Sequence, residues 1–233
     1  MSWSLLFRLL KGKKMSANNS KVLQLDEISR KVRDGLFLAP SRTYGEQYIE
    51  PFIRELYELS EPTKNDHDAI GKSKHLYEIK ACKVLKSNKS NNKKKKDILS
   101  RIISENSNAE TNRLIPFKNS KIEEYLANVQ NVKRDHFDTL IYVLLFEDCL
   151  KIFFAPKSII KKSSNSANAF PNWSDKHGRY DKKGKSGQFG ITKTNIQWHL
   201  DNCLKDTVTY PELVKIYQKL AEEHASKKYN NSK

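Results

Sequence analysis

Two apolar runs separated by a short acidic turn constrain the fold of this chain more than any other feature. The first run covers residues 136–146 and is rich in Leu, Ile and Val, and the second covers residues 150–155. Glu147 and Asp148 lie between the runs and are suited to a tight turn. The runs are nearly continuous in apolar residues, which is typical of strands covered on both faces. The sequence therefore predicts an α/β protein with a central mixed β-sheet flanked by helices.

Apolar residues at helical spacing predict helices over residues 20–38, 44–59, 119–130, 193–204 and 209–225. The clearest periodicity is in the helix over 44–59, whose apolar stripe is formed by Tyr48, Ile49, Phe52, Ile53 and Leu56. In the helix over 193–204 the same spacing places His199 on or near the exposed side.

A second hairpin is predicted over residues 66–84, with a Gly- and Ser-containing turn of four residues between two strands. Because strand side chains alternate between faces, Glu78 and Lys80 share one face of the second strand. The turn folds Asp68 back toward Glu78. Asp66 lies on the same face as Asp68 in a regular strand, so either aspartate can be the acidic partner.

Two carboxylates and a lysine at the base of a hairpin suit metal-dependent cleavage of phosphodiesters. Mg²⁺ takes carboxylate oxygens, water and substrate phosphate, and it activates an attacking water and neutralises charge on the leaving oxygen. Lys80 can hold or deprotonate that water, or stabilise the pentavalent phosphate. The backbone carbonyl of Ile79 is a candidate further ligand. In a chain with 30% charged residues, a solvated hairpin with unrelated charges is the alternative interpretation.

Asp68 followed by Glu78-Ile79-Lys80 resembles the signature of the PD-(D/E)XK nuclease superfamily, with His67 where the pattern has proline. The size and layout resemble a type II restriction endonuclease, and the resemblance covers roughly residues 44–155. It implies a restriction-endonuclease-like core with Mg²⁺ as cofactor. Asp68, Glu78 and the Ile79 carbonyl would be the metal ligands, and Lys80 would assist the nucleophile.

The resemblance also implies a glutamate contributed to the metal site by the preceding helix. Glu46 lies at the edge of the apolar stripe of the helix over 44–59 and is the catalytic candidate, whereas Glu50 lies farther round the helix. The alternative for Glu46 is a surface glutamate in a first helical turn, which the helix dipole favours.

The charge balance predicts a polyanionic partner. The chain has 233 residues, with 43 Lys and Arg against 27 Asp and Glu, and a formal net charge of +16. A ribosomal or membrane-surface protein would share this balance. Residues 1–14 combine an apolar stretch with basic residues but lack a cleavage site, and no segment reaches transmembrane length. A docking or interfacial amphipathic helix over residues 1–14 is the alternative. The resemblance implies double-stranded DNA as the polyanionic partner, and we expect no membrane association.

The three cysteines, Cys82, Cys149 and Cys203, have no metal-binding spacing and are odd in number. Each lies in or beside an apolar run, which favours buried thiols. We therefore expect a protein of the reducing cytoplasm, without disulfides.

The chain divides into an N-terminal extension (1–19), a catalytic core (20–160), a basic DNA-recognition region (161–205) and a C-terminal helix and tail (206–233). The basic region is too long for a simple connector, and a disordered insert is the alternative. Its amide, imidazole and guanidinium groups suit base edges and its lysines suit phosphates. The predicted DNA-binding residues are Asn172, Trp173, Lys176, His177, Arg179, Lys182, Lys183, Lys185, Gln188, Lys193, Asn195 and Gln197.

These features together predict a Mg²⁺-dependent, sequence-specific double-stranded DNA endonuclease of the restriction–modification type, without a small-molecule cofactor. Direct hydrolysis by a metal-activated water is expected. A palindromic target would require a homodimer, because the two-fold symmetry of the protein then matches that of the site. The alternatives are a structure-specific or repair nuclease of the junction-resolving type, or a basic nucleic-acid-binding protein without enzymatic activity.

Overall fold

The computed structural model describes residues 19–62, 67–87, 110–133, 136–160, 170–174 and 186–230. The helices are α1 Asn19–Leu38, α2 Ser41–Tyr44, α3 Glu50–Leu56, α4 Ile196–Cys203 and α5 Tyr210–Asn230, and a π-helical turn, Gly45–Ile49, joins α2 to α3. The strands are β1 Ala69–Ile70, β2 Leu76–Lys83, β3 Ala127–Lys133, β4 Thr139–Leu145, β5 Cys149–Pro156, β6 Ser186–Ile191 and β7 Leu204–Thr209.

A mixed five-stranded sheet forms the centre of this α/β protein. Its strand order is β1-β2-β4-β5-β7. Strand β2 pairs parallel with β4, and the other neighbours pair antiparallel. The hairpin predicted from the two apolar runs is present as β4 and β5, and every residue of β4 is buried. The prediction of an α/β protein with a central mixed sheet is therefore confirmed.

One face of the sheet is covered by helices α1, α2, α3 and α5. Ile141, Val143 and Leu145 of β4 point to this face, where they pack with the apolar residues of the four helices. Full burial of side chains of this size contributes about 1.5–3 kcal/mol each. Partly buried Lys83 of β2 fixes the end of α1, because its Nζ donates to the carbonyls of Phe37 (2.6 Å) and Ala39 (2.8 Å). The helix layer is thus tied directly to the strand that carries Glu78 and Lys80.

The opposite face is covered by α4 and by the two-stranded ribbon formed by β3 and β6. Tyr142 of β4 lies at the centre of an aromatic cluster on this face, stacked on Phe153 with ring centroids 4.8 Å apart. Its hydroxyl is 2.8 Å from Nδ1 of fully buried His199. Burial lowers the pKa of His199 to about 3, so the imidazole is neutral. The prediction that His199 lies on the exposed side of its helix was therefore wrong.

Two parts of the predicted secondary structure were also wrong. The helix expected over 119–130 is replaced by a short turn and strand β3. Backbone pairing of β3 with β6 stabilises the strand, although the apolar residues have helical spacing. Ile122 and Leu126, which helical spacing would place on one apolar face, are 73% and 59% exposed. Strands β6 and β7 were not predicted at all. The helix over 209–225 is present as α5, which begins at Tyr210.

The three cysteines are buried free thiols, as predicted. Within the ranges that the structure describes, no helix has the length and apolar character needed to cross a membrane.

Candidate active site

The predicted hairpin is present and brings Asp68 to Glu78. Strand β1 pairs antiparallel with β2, with Ala69 opposite Tyr77. Asp68 directly precedes β1, and its N–H donates to the Tyr77 carbonyl at 2.9 Å. The pairing therefore sets Asp68 beside the stretch of β2 that begins with Glu78, as the alternation of the sequence indicated.

The hairpin turn has an unusual backbone. Ser73 and Lys74 have left-handed φ angles of 59° and 61°. Gly71 has an ordinary φ of −98°, and its role is close approach, because a Cβ there would lie 2.8 Å from the Tyr77 ring. Lys72 and Lys74 are exposed at the tip. The hairpin that carries the acidic groups therefore also presents positive charge to solvent.

The segment before β4 holds the start of β2 in place. The Leu76 N–H donates to Asp138 Oδ2, and the Asp138 N–H donates to the Leu76 carbonyl, both at 2.9 Å. His75 Nε2 lies 2.9 Å from Thr139 Oγ1. Because β4 is a buried central strand, these contacts support the charged groups on a rigid scaffold.

Asp68, Glu78 and Lys80 form one connected charged group. Asp68 Oδ2 accepts hydrogen bonds from the Ile79 N–H at 2.8 Å and from Lys80 Nζ at 3.1 Å. The same Nζ lies 2.6 Å from Glu78 Oε1. The lysine ammonium therefore lies between the two carboxylates and partly neutralises both.

Glu78 is the most buried member of this group, with 1% of its side chain exposed. Burial raises the pKa of its carboxyl, an effect that the adjacent Lys80 ammonium opposes and the Asp68 carboxylate reinforces. Burial alone would lower the pKa of Lys80, but Glu78 and Asp68 more than offset that effect and hold the pKa above its usual value. Lys80 is therefore an ammonium group at neutral pH, a donor rather than a base.

The donor set of this site fits a hard divalent cation. Mg²⁺ commonly binds through one or two carboxylates, with water and substrate phosphate as the other ligands. Neither Glu78 oxygen has a well-aligned hydrogen-bond donor among the described residues, despite the short ion pair with Lys80. Glu78 and Asp68 could therefore hold such an ion. Within those same ranges, no three His, Cys, Asp or Glu side chains are grouped so as to hold a metal by themselves.

The helix layer brings Glu50, rather than Glu46, toward this group. Glu46 is exposed and pairs with Arg42 at 3.0 Å. Glu50 is 17% exposed and lies 3.9 Å from Arg54, which also donates to the Asp68 carbonyl at 3.2 Å. Burial and then the Asp68 carboxylate raise the pKa of Glu50 to about 7. The choice of Glu46 over Glu50 is thus not supported by their placement.

The π-helical turn explains why Glu50 lies closer to this group than a regular helical wheel indicates. The N–H of Glu50 donates to the Gly45 carbonyl, five residues earlier, so the residues after the turn are rotated relative to an ordinary α-helix. Pro51 follows at the start of α3 and lacks the N–H that would continue the α-helical pattern. Pro51 is the sequence signal for this departure from regular α-helical geometry.

Two details of the predicted metal site stay predictions. Asp66 lies outside the described residues, so only Asp68 can be placed at the site. Ile79 contributes its backbone N–H to Asp68, and a ligand role for its carbonyl is a separate expectation.

The described residues of the basic region are largely engaged within the protein. The side-chain amides of Asn172 and Asn195 both donate to the Gly190 carbonyl, at 3.2 and 2.9 Å. Lys193 forms an ion pair with Glu124. The exposed Gln197 amide donates to Asp201 at 2.5 Å. These contacts shape the segment between β6 and α4, and DNA binding by these side chains stays a prediction.

Trp173 was predicted to contact DNA, but the structure places it in the core. It is 6% exposed, and its ring is stacked with that of Phe189 at a centroid distance of 6.0 Å. It lies directly on Gly187, where a Cβ would be 2.0 Å from the indole. The indole therefore fills the core beneath β6 and has no free face for a base, so the prediction of base contact is corrected.

The other predicted contacts divide into two groups. Gln188 lies on β6, half-buried, with its backbone bonded to Ser174. The remaining predicted residues lie outside the described residues: Lys176, His177, Arg179, Lys182, Lys183 and Lys185.

From the sequence, Gln130 is a candidate phosphate or second-layer contact of the site, whereas Asn131 was not singled out. Both are exposed on β3, at an irregularity in its pairing with β6. Contact of either side chain with nucleic acid stays a prediction.

Comparisons with protein-family models, with curated proteins and with solved structures gave no match for this chain.

Proposed function

We propose that this protein is a Mg²⁺-dependent double-stranded DNA endonuclease of the type II restriction class, with a restriction-endonuclease-like core. The observation that carries the proposal is the convergence of Asp68, Glu78 and Lys80 at one hairpin, with Glu78 almost fully buried. Burying an ionised carboxylate is expensive unless it is paired or binds a metal. A solvated hairpin with unrelated charges would not bury Glu78.

Asp68 and Glu78 would hold the ion, which would supply the positive charge that activates an attacking water and neutralises the leaving oxygen. Lys80, as an ammonium group, donates to the water or to a phosphate oxygen and stabilises the negative charge that develops there. The water oxygen bonds to phosphorus and releases a proton to bulk solvent, the bond from phosphorus to the leaving sugar oxygen breaks, and that oxygen takes up a proton from bulk water. Strand β2 fixes the distance between Glu78 and Lys80 throughout.

The net charge of +16 supports a polyanionic substrate. Lys72 and Lys74, exposed at the hairpin tip, would add phosphate contacts. For a palindromic target, two copies of the chain would act together, each cutting one strand.

The test is incubation of the purified protein with long duplex DNA, in Mg²⁺ or in EDTA. We expect discrete fragments only with Mg²⁺. Cutting restricted to branched DNA would indicate a junction-resolving nuclease instead. No cutting of linear, supercoiled or branched DNA with any of several divalent ions would overturn the enzymatic proposal and leave a binding protein.

Substitutions at the site should separate chemistry from binding. We expect Lys80→Ala to reduce the cleavage rate by about 100-fold or more, because one positioned donor commonly contributes that much. Binding of duplex DNA should be retained. Cleavage rates in Mg²⁺ and binding in EDTA measure the two effects.

Lys80→Ala leaves the buried Glu78 carboxylate without its cation, so that variant could lose activity by unfolding. Glu78→Gln is a second variant without this problem, because the amide that replaces the carboxylate is neutral. It should also lose cleavage while keeping the unfolding transition of the wild type. Lys215→Ala, on the exposed side of α5, is the matched control for loss of one positive charge. A Lys80→Ala protein with full activity would remove Lys80 from the site.

A further inference from the structure

The ribbon formed by β3 and β6 contains a bulge. The pairing is regular up to Val129 and resumes at Val132 with a shifted register. Gln130 and Asn131 therefore stand together opposite Gln188. Asn131 has a left-handed φ of 57°, a conformation that asparagine adopts more readily than most residues. Bulges of this kind re-aim side chains and are frequent beside active sites.

The bulge directs amide groups outward. Val129 and Val132 are buried beneath the ribbon, whereas Gln130 and Asn131 are exposed and Gln188 is half-buried on the outer side. Among the described residues, none of these three amides forms a side-chain hydrogen bond. They differ in this respect from Asn172 and Asn195, whose amides are occupied by Gly190.

Strand β3 packs against β2, the strand that carries Glu78 and Lys80. The Cys82 thiol of β2 donates to the Asn128 carbonyl of β3, with a sulfur–oxygen distance of 3.5 Å. Toward the other end of β3, the positive charge of Lys133 opposes the rise in the pKa of the Glu78 carboxyl. The bulge at Gln130 and Asn131 lies between these two positions, on a strand that borders the candidate active site.

Exposed carboxamides beside a phosphodiester-cutting site have a specific chemical use. Asn and Gln can bond to N6 and N7 of adenine in the major groove with two hydrogen bonds, and a two-stranded ribbon fits that groove. We propose that Gln130, Asn131 and Gln188 read A·T base pairs next to the scissile phosphate. The inference rests on the proposed function for duplex DNA as the substrate, and its test does not require cleavage.

The test selects bound sequences from a pool of random duplexes about two helical turns long, in EDTA so that nothing is cut. The wild type should enrich a consensus that contains A·T pairs. The combined variant Gln130→Ala, Asn131→Gly, Gln188→Ala should lose the preference at those positions by about tenfold or more per amide–adenine pair. Its affinity for the unselected pool should stay within about twofold, because phosphate contacts set non-specific binding.

Controls separate base reading from folding. Asn131→Gly suits the left-handed backbone and should keep the wild-type unfolding temperature. Gln218→Ala removes a partly exposed amide from α5, on the other layer, and should select the wild-type consensus. An unchanged consensus in the combined variant, or no consensus in the wild type, would overturn the inference. If the wild type selects a consensus sequence but does not cut DNA with Mg²⁺, the proposed nuclease activity is overturned. The inference that the ribbon reads bases would still stand.

Discussion

Glu50 shows how one buried carboxyl links the candidate site to the stability of the protein. Its pKa is raised to about 7 by burial and by the Asp68 carboxylate. The folded state therefore favours the protonated form. The resulting stabilisation is fully present below the pKa of an unfolded glutamate, about 4.3, and is lost as the pH rises through about 7.

We predict that Glu50→Gln makes the protein more stable than the wild type at about pH 8, by at most about 3 kcal/mol, because the amide carries no charge to bury. Near pH 4 the two proteins should be about equally stable, since Glu50 is then protonated in both states. Urea unfolding at the two pH values measures the difference. Glu46→Gln is the control, because Glu46 is exposed and its surface ion pair contributes at most about 1 kcal/mol. Equal gains from both variants would contradict a special role for Glu50.

The residue-scale predictions that held depend on short-range geometry. The positions of Asp68, Glu78 and Lys80 follow from the two-residue alternation of strands and from one turn. The position of Glu50 could not be obtained in this way, because the π-helical turn changes the rotation per residue. Burial of Trp173 depends on contact with Gly187 and Phe189, which come from a strand that the sequence did not reveal.

The hairpin turn between β1 and β2 contains avoidable strain. Lys74 has a φ of 61°, although left-handed backbone costs a residue with a Cβ roughly 1–2 kcal/mol. We predict that Lys74→Gly raises the free energy of unfolding by about 1 kcal/mol. Lys74→Ala controls for loss of the lysine, because it keeps the Cβ and therefore the strain. Urea unfolding of the two variants isolates the backbone effect, and equal stabilities would contradict it.

At the scale of whole elements, helices and strands were predicted correctly where the pattern of apolar residues within the segment was strong. Strands β4 and β5 are almost entirely apolar and were recognised. Strands β6 and β7 were missed because their partners are distant in sequence: β6 pairs with β3, and β7 pairs with β5. Most residues of β7 are exposed, so no apolar alternation marks it. The helix over 119–130 was wrongly predicted for the same reason. The spacing of apolar residues within this segment contains no information about its pairing with the distant strand β6.

At the scale of the molecule, the excess of basic residues makes a prediction about salt. If the protein binds duplex DNA with six or more phosphate contacts, the affinity should fall on the order of 1,000-fold between about 50 and 200 mM salt. Fluorescence anisotropy with a labelled duplex in EDTA measures this slope. A decrease of less than about tenfold would show that few basic residues contact phosphate, so that the charge of +16 is mostly compositional.

Lys80 also affects how the protein is made. A newly synthesised chain must bury Glu78 as it folds, and Lys80 supplies a cation to that carboxylate from the same strand. Folding can therefore be completed before any divalent ion is encountered. Under the proposed function, folding and ion binding would therefore be separate events, and the protein could fold in an ion-poor environment.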